Sequence, residues 1–215
     1  MKLSTKLTAT SLFFFVGLLF SCHKKIKEPT APGNTDSVQL FAGNNFAGVD
    51  QSPLDISYYP LQYPQNKMSV TQPVAPPVAR IIYSRPHKKG RIIFSNDEKS
   101  LCRYGKPWRL GANEATEIDF FKPVVINGNN VPAGRYVMYC VPFADRWIIA
   151  LNGNLDSWGL QIDPSKDLFR TEVPVQQQSP AIEDFTIIFQ EATYGADILF
   201  TWDVVKILLP VTFSK

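Results

Sequence analysis

The sequence predicts an all-β fold, a single domain built as an antiparallel β-sandwich or a jelly-roll-like sandwich. From residue 78 onward, short apolar runs rich in β-branched and aromatic side chains alternate with turn-forming residues, and no long stretch has helical periodicity. Asn127-Gly128 and Asn152-Gly153 are strong turn signals because both residue types tolerate positive φ, and Tyr194-Gly195-Ala196 is typical of a hairpin end. Short strands at this spacing are typical of two packed antiparallel sheets.

The apolar runs predict ten strands in chain order. Each is short and contains β-branched or aromatic residues, as strands in such sheets do. They are placed at residues 80–84, 91–94, 117–121, 124–126, 135–141, 147–151, 169–175, 185–191, 198–202 and 204–209.

Length and composition favour one sizeable globular domain. The chain has 215 residues, of which 45% are hydrophobic and 13% aromatic, so disorder of the whole chain is excluded. We place the domain at residues 67–215. A domain of this size buries roughly two-thirds of its unfolded surface and needs no disulfide to stabilise its core.

The N-terminus resembles a bacterial lipoprotein signal peptide at residues 1–21. Lys2 and Lys6 form a charged start, and residues 12–20 are an apolar run that is too short to span a bilayer as a helix. The run ends in Leu19-Phe20-Ser21-Cys22, which resembles a lipobox. This resemblance implies acylation of Cys22, with palmitate among the expected chains, and cleavage before it; an uncleaved anchor or a buried helix is the alternative.

Residues 22–66 are expected to form a lipid-anchored, Pro-rich tether and arm. The cations of residues 23–27 would lie beside the lipid headgroups, and the absence of Asp at position 23 favours the outer membrane, by resemblance to Gram-negative lipoproteins. Eight prolines between Pro29 and Ala79 predict an extended chain. Residues 57–64 interleave tyrosine and proline, so their rings either pack on the neighbouring domain or present a stacking surface.

The charge balance does not indicate nucleic-acid binding. Loss of residues 1–21 removes Lys2 and Lys6 and leaves twenty basic and nineteen acidic residues, a net charge of +1. Residues 80–109 contain nine basic and two acidic side chains, whereas residues 110–215 contain seven and thirteen. Two interpretations remain: the basic segment forms surface ion pairs with the acidic remainder, or it faces an anionic ligand.

The chain has few residues of the types that bind metals. Only His23 and His87 are histidines, and no CxxC pair is present, so we expect no metal site and no cofactor. In an oxidising envelope compartment Cys102 and Cys140 could form a disulfide, or they could remain buried thiols. The nucleotide-binding, serine-hydrolase and zinc-protease motifs G-x-G-x-x-G, G-x-x-x-x-G-K-[ST], G-x-S-x-G and H-E-x-x-H are all absent.

Five elements together resemble domain-of-unknown-function family 2911, which comprises secreted and lipid-anchored bacterial proteins. They are Arg85-Pro86-His87-Lys88-Lys89-Gly90-Arg91, Gly105-Lys106-Pro107-Trp108-Arg109-Leu110-Gly111-Ala112-Asn113-Glu114-Ala115-Thr116, Pro132-Ala133-Gly134-Arg135-Tyr136, Trp158-Gly159 and Asp167-Leu168-Phe169-Arg170. The similarity extends roughly from residue 70 to the C-terminus, and the WRxGANExT element is its most specific part. The resemblance implies a β-rich extracytoplasmic domain and assigns no catalytic residue. Cys102 departs from the family pattern, which has proline there.

The polar residues of the first two elements form a candidate ligand-binding set. Arginine suits carboxylate, sulfate or phosphate, an indole face suits a sugar ring, and the remaining side chains supply donors and acceptors. The alternative is a structural network in which Glu114 pairs with Arg109 or Arg91, Asn113 caps a turn and Trp108 fills the core. The candidates are Arg85, His87, Arg91, Trp108, Arg109, Asn113, Glu114 and Thr116.

Three functions are compatible with these features. The favoured one is a non-catalytic domain that binds a glycan or a small anionic ligand, or is structural. The second is a hydrolase that uses Glu114 or Asp119 as acid or base and His87 or an arginine as stabiliser; a glycosidase would need two carboxyl groups about 5 to 10 Å apart. The third is a scaffold whose sheet edge or acidic half contacts an envelope protein.

Overall fold

The computed structural model describes residues 52–69 and 73–213. The predicted signal peptide, the lipidation site Cys22 and most of the tether lie outside these residues, so their assignment stays a prediction. Within the described ranges no helix is both long enough and apolar enough to cross a bilayer.

The described residues form twelve strands, one short α-helix and one 3-10 turn, so the all-β prediction is confirmed. The helix α1 is Tyr63–Met68, and the 3-10 turn is Pro164–Lys166. The strands are Leu54–Tyr59 (β1), Ala79–Ser84 (β2), Phe94–Ser95 (β3), Cys102–Arg103 (β4), Thr116–Phe120 (β5), Val124–Ile126 (β6), Asn129–Val131 (β7), Gly134–Pro142 (β8), Arg146–Asn152 (β9), Asp167–Pro174 (β10), Gln176–Ala192 (β11) and Gly195–Phe213 (β12).

Two antiparallel sheets share one core. The larger sheet has the strand order β1-β2-β5-β8-β9-β10 and the smaller has the order β11-β12-β6-β7, while β3 and β4 form a small parallel pair. Alternation along each strand puts one set of side chains inside: in β5, Ile118 and Phe120 join a buried cluster that draws on both sheets, and Glu117 lies on the opposite face. This is the sandwich architecture that the sequence predicts.

The sheet extends further toward the N-terminus than the sequence predicts. β1 lies within the expected arm and pairs with β2 from Leu54↔Ser84 to Tyr59↔Ala79. The Tyr59 ring stacks on Phe213, with ring centroids 4.4 Å apart. This tyrosine therefore packs on the domain, which is one of the two interpretations given above for residues 57–64. As an edge strand β1 tolerates flanking prolines, which weaken its local signal.

Other strand boundaries also differ from the predicted ones. The predicted strands 198–202 and 204–209 are one strand, β12, which continues through Asp203 at a φ of 54°. The predicted strand 91–94 is reduced to the two residues of β3. β4 and β7 have only two and three residues, too few for an apolar pattern to be visible.

The two cysteines of the domain are free thiols. Both Cys102 and Cys140 are buried, and burial raises the pKa of each well above its ordinary value. The sequence left open a disulfide between these cysteines or two buried thiols, and the structure has the buried thiols.

Candidate functional site

A cavity of about 310 Å³ lies where three loops meet, and we call it the arginine pocket. Its walls come mainly from the segment after β2, the loop between β4 and β5, and the loop between β9 and β10, with one residue before β1 and one between β3 and β4. It is lined by Ser52, Pro86, Arg91, Leu101, Pro107, Trp108, Arg109, Gly111, Ala112, Gly159 and Leu160.

Trp108 lines this pocket and belongs mainly to the core. Its backbone N–H donates to the Cys140 carbonyl at 2.7 Å and its own carbonyl accepts from Cys140 N–H at 2.9 Å, which attaches the loop to the edge of β8. Its indole is only 9% exposed and stacks on Trp202, with centroids 5.6 Å apart. The ring therefore supports the pocket more than it offers a free face to a ligand.

Arg109 connects two of the three loops. One terminal guanidinium nitrogen donates to the carbonyl oxygens of Asn113 at 2.8 Å and Trp158 at 3.0 Å. Partial burial lowers the pKa of Arg109 from its ordinary value, and the nearby negative charge of Glu114 opposes this effect. The guanidinium stays charged at neutral pH, because the ordinary arginine pKa is far higher.

The backbone of the Arg109 loop is held by its own side chains. Leu110 and Asn113 have positive φ values of 56° and 60°. The buried Thr116 hydroxyl donates to the Leu110 carbonyl at 2.7 Å, and the Trp108 indole N–H donates to the Gly111 carbonyl at 3.3 Å. Thr116 thus stabilises the loop and does not line the pocket.

Arg91 lines the pocket from the segment after β2. Its guanidinium donates to the carbonyl oxygens of Lys88, at 3.1 Å, and of His87. These bonds use some of the N–H donors of the guanidinium group and do not neutralise its charge.

Arg85 and His87 fasten the basic loop to the two sheets. Arg85 donates to Asp55 at 3.1 Å and to the Thr186 hydroxyl at 2.9 Å, while the His87 ring hydrogen-bonds to the Asp184 carboxylate. Neither residue lines the pocket. The ion pair of Arg85 is with Asp55 of β1, so it does not involve the acidic remainder at residues 110–215.

The remaining candidates, Asn113 and Glu114, are exposed near the tip of the loop and do not line the pocket. The Asn113 amide donates to the Ser52 carbonyl at 3.4 Å. Of the eight predicted residues, the structure therefore brings together Arg91, Trp108 and Arg109. It adds Gly159 and Leu160, which the candidate set lacked, although Trp158-Gly159 was among the family-like elements.

Neither Glu114 nor Asp119, the two carboxylates of the hydrolase hypothesis, lines this pocket. Asp119 is 8% exposed on the outer face of the larger sheet, where Arg80 contacts it at 2.5 Å and Arg135 at 3.1 Å. On the same face, burial raises the pKa of Glu117. In the described part of the chain, no group of three or more His, Cys, Asp or Glu residues could hold a metal ion.

A second cavity adjoins the arginine pocket. It measures about 410 Å³, and we call it the tryptophan cavity. Gly159 and Leu160 line both spaces. The lining residues are Asn154, Ser157, Trp158, Gly159, Leu160 and Gln161.

A third cavity, of about 420 Å³, lies between α1 and the Pro-rich segment 74–78. Its walls are mostly apolar, and none of the predicted site residues reaches it. Three of the eight predicted residues line the arginine pocket and none lines this third cavity, although the third cavity is somewhat larger.

Comparison with known families decides the relationship of this chain. A family model described as "Protein of unknown function (DUF2911)" matches residues 65–211. The chain belongs to this family. The DUF2911 match includes every residue of the arginine pocket except Ser52, and all of the tryptophan cavity. Neither the curated proteins nor the solved structures give a significant match.

Proposed function

We propose that this chain is an outer-membrane lipoprotein whose β-sandwich domain binds a small anionic ligand in the arginine pocket, without catalysing a reaction. The predicted lipobox at Cys22 supports the membrane attachment. The charge of the pocket supports the ligand class, and that observation carries the proposal.

Two arginines in the described ranges form no ion pair with a described carboxylate, and both line the arginine pocket. Eight arginines lie in residues 52–69 and 73–213. Arg91 and Arg109 are the two without such a partner, and their guanidinium groups donate to backbone carbonyls of described residues. The six that do form ion pairs are Arg80, Arg85, Arg103, Arg135, Arg146 and Arg170.

An anion in this pocket would be attracted by both guanidinium groups. Arginine offers a planar fork that matches carboxylate, sulfate and phosphate oxygens, and the partial burial of Arg109 reduces the screening of its charge by water, whereas Arg91 is exposed. The cavity of about 310 Å³ is at the small end of the range for ligand sites, so it suits a small molecule or one end of a larger one.

Calorimetric titration with small anions tests this proposal. The protein is the chain from residue 22 with Cys22→Ser, which removes the acylated sulfur, and the probes are phosphate, sulfate, citrate and glucuronate in a chloride-free buffer. We expect at least one probe to bind, and Arg91→Gln or Arg109→Gln to weaken it about tenfold, the loss of roughly one charge-assisted contact. Arg109→Lys retains the charge and should lose less.

Arg103→Gln is the matched control, because Arg103 is exposed and a nitrogen of its guanidinium group lies 3.9 Å from a carboxylate oxygen of Glu98. An equal loss of affinity in this variant would indicate a general effect of net charge and contradict a site in the arginine pocket. Absence of binding by all four probes to the unmutated protein would overturn the proposal. Urea unfolding of each variant confirms that the domain remains folded.

A further inference from the structure

We propose that the ligand is an acidic glycan, with its anionic group in the arginine pocket and a neighbouring sugar ring on Trp158 in the tryptophan cavity. This inference rests on the proposed function and specifies its ligand. It follows from three features: an exposed indole, the polar residues around it and its connection to Arg109.

Trp158 differs from the other tryptophans of the chain by its exposure. Its relative exposure is 56%, whereas Trp108, Trp147 and Trp202 are 9% exposed or less. The Trp158 ring makes no aromatic contact with the described residues, whereas the three buried indoles pack against one another or against phenylalanine. Burial of a large aromatic surface is favourable, so an exposed indole beside a cavity is available to a partner.

The residues around Trp158 supply the other contacts that a sugar needs. Asn154, Ser157 and Gln161 line the same cavity and carry amide or hydroxyl groups, which both donate and accept hydrogen bonds. A flat apolar ring flanked by such groups fits a pyranose, which has apolar C–H faces and an equatorial rim of hydroxyls. The 71% exposed Leu160 adds apolar surface at the junction of the two spaces.

The backbone keeps the two subsites at a fixed separation. Arg109 donates to the Trp158 carbonyl at 3.0 Å, and the next two residues of the chain, Gly159 and Leu160, line both cavities. Adjacent α-carbons are about 3.8 Å apart, so the wall between the subsites is only one or two residues wide. Neighbouring rings of one short oligosaccharide can therefore occupy both subsites, with a carboxylate or sulfate beside the arginines.

The test begins with an array of acidic and neutral oligosaccharides and continues by calorimetry. The tightest acidic glycan is compared with its own acidic monosaccharide and with the neutral oligosaccharide of equal length. We expect the acidic oligosaccharide to bind at least about tenfold more tightly than either, because only it occupies both subsites.

Variants of the exposed ring assign the second subsite. Trp158→Ala should reduce the affinity for the oligosaccharide about tenfold, to the affinity for the monosaccharide. The affinity for the monosaccharide itself should not change. Trp158→Phe, which keeps an aromatic face, should retain most of the affinity. Phe121→Ala is the control, because Phe121 is 48% exposed and lines the third cavity.

The outcomes separate this inference from the proposed function. One outcome is that simple anions bind in an Arg109-dependent way while no acidic oligosaccharide binds more tightly than they do. That result would overturn the glycan inference but would still support anion binding in the arginine pocket. Equal affinity of Trp158→Ala and the unmutated protein for the oligosaccharide would also overturn it. Failure of every anion and every glycan would overturn both.

Discussion

Arg109 and Gly159 approach so closely that a β-carbon added to Gly159 would lie 3.0 Å from the Cβ atom of Arg109. The same added carbon would lie 3.1 Å from Ala115, and Gly159 has a φ of +77°. A glycine is therefore needed for both the conformation and the contact. This contact joins the loop of the WRxGANExT element to the loop that carries Trp158, and it brings the two cavities together.

Gly159→Ala should destabilise the domain more than an alanine at an equally strained but open turn. Gly128 is the matched position, because its φ is +81° and no atom lies within 4 Å of its added β-carbon. We expect about 1 kcal/mol of lost stability for Gly128→Ala and a further 1–3 kcal/mol, roughly, for Gly159→Ala, from urea unfolding. Equal losses would mean that the two loops do not pack closely.

Asp119→Asn should weaken the fold and leave ligand binding unchanged. Asp119 is nearly buried and accepts from both Arg80 and Arg135, so its neutralisation leaves two guanidinium groups without their shared partner. We expect a loss of about 2 kcal/mol in the free energy of unfolding, reduced from the buried-pair value because both arginines are partly exposed. Glu172→Gln, at the exposed partner of Arg146, should lose less than about 0.5 kcal/mol. Loss of a hydrolytic activity in Asp119→Asn, without destabilisation, would favour the hydrolase hypothesis.

Tyr83 should make the domain less stable at high pH. Burial raises the pKa of Tyr83 from its ordinary value of 10 to about 12 in the folded state. The unfolded chain releases this proton first, so the stabilisation is complete below pH 10 and is lost as the pH rises through 12. The free energy of unfolding, measured with urea at several pH values, should therefore fall at high pH, and Tyr83→Phe should reduce that fall by about 2 kcal/mol. A parallel decline in both proteins would contradict the raised pKa.

The two thiols of the domain should react only after unfolding. Burial excludes the reagent and raises the pKa of Cys102 and Cys140, so little thiolate forms in the native state. With Cys22→Ser, an aromatic disulfide reagent should detect no thiol at mildly alkaline pH and two in guanidinium chloride. Detection of none after unfolding would show that the two cysteines are bonded.

Cys22→Ser should abolish acylation of the chain. Acyl chains at Cys22 are expected to provide the anchor, since the adjacent cations contribute only modest attraction to lipid. In a Gram-negative host, the unmutated full-length chain should incorporate labelled palmitate and fractionate with the outer membrane. Cys102→Ser should behave in the same way, whereas a Cys22→Ser variant that still incorporated labelled palmitate would contradict the predicted anchor.

The sequence alone was sufficient for the predictions that depend on local chemistry. Short apolar runs and the Asn127-Gly128 turn, in which both residues have positive φ, are properties of neighbouring residues, so the all-β fold and most of its strands could be predicted. The family was identifiable because its motif is a contiguous segment. The lipid anchor at Cys22 is also a local signal, and it remains a prediction.

Only the tertiary structure decided which of the polar residues line the same cavity. Arg85 and Arg91 have the same side chain and lie six positions apart, yet Arg85 pairs with Asp55 whereas Arg91 lines a cavity. Trp108 was expected to offer a face to a ligand or to fill the core, and the exposed indole beside the pocket belongs to Trp158. These differences arise from contacts between residues far apart in the chain, and such contacts depend on how the sheets and loops pack rather than on any local pattern.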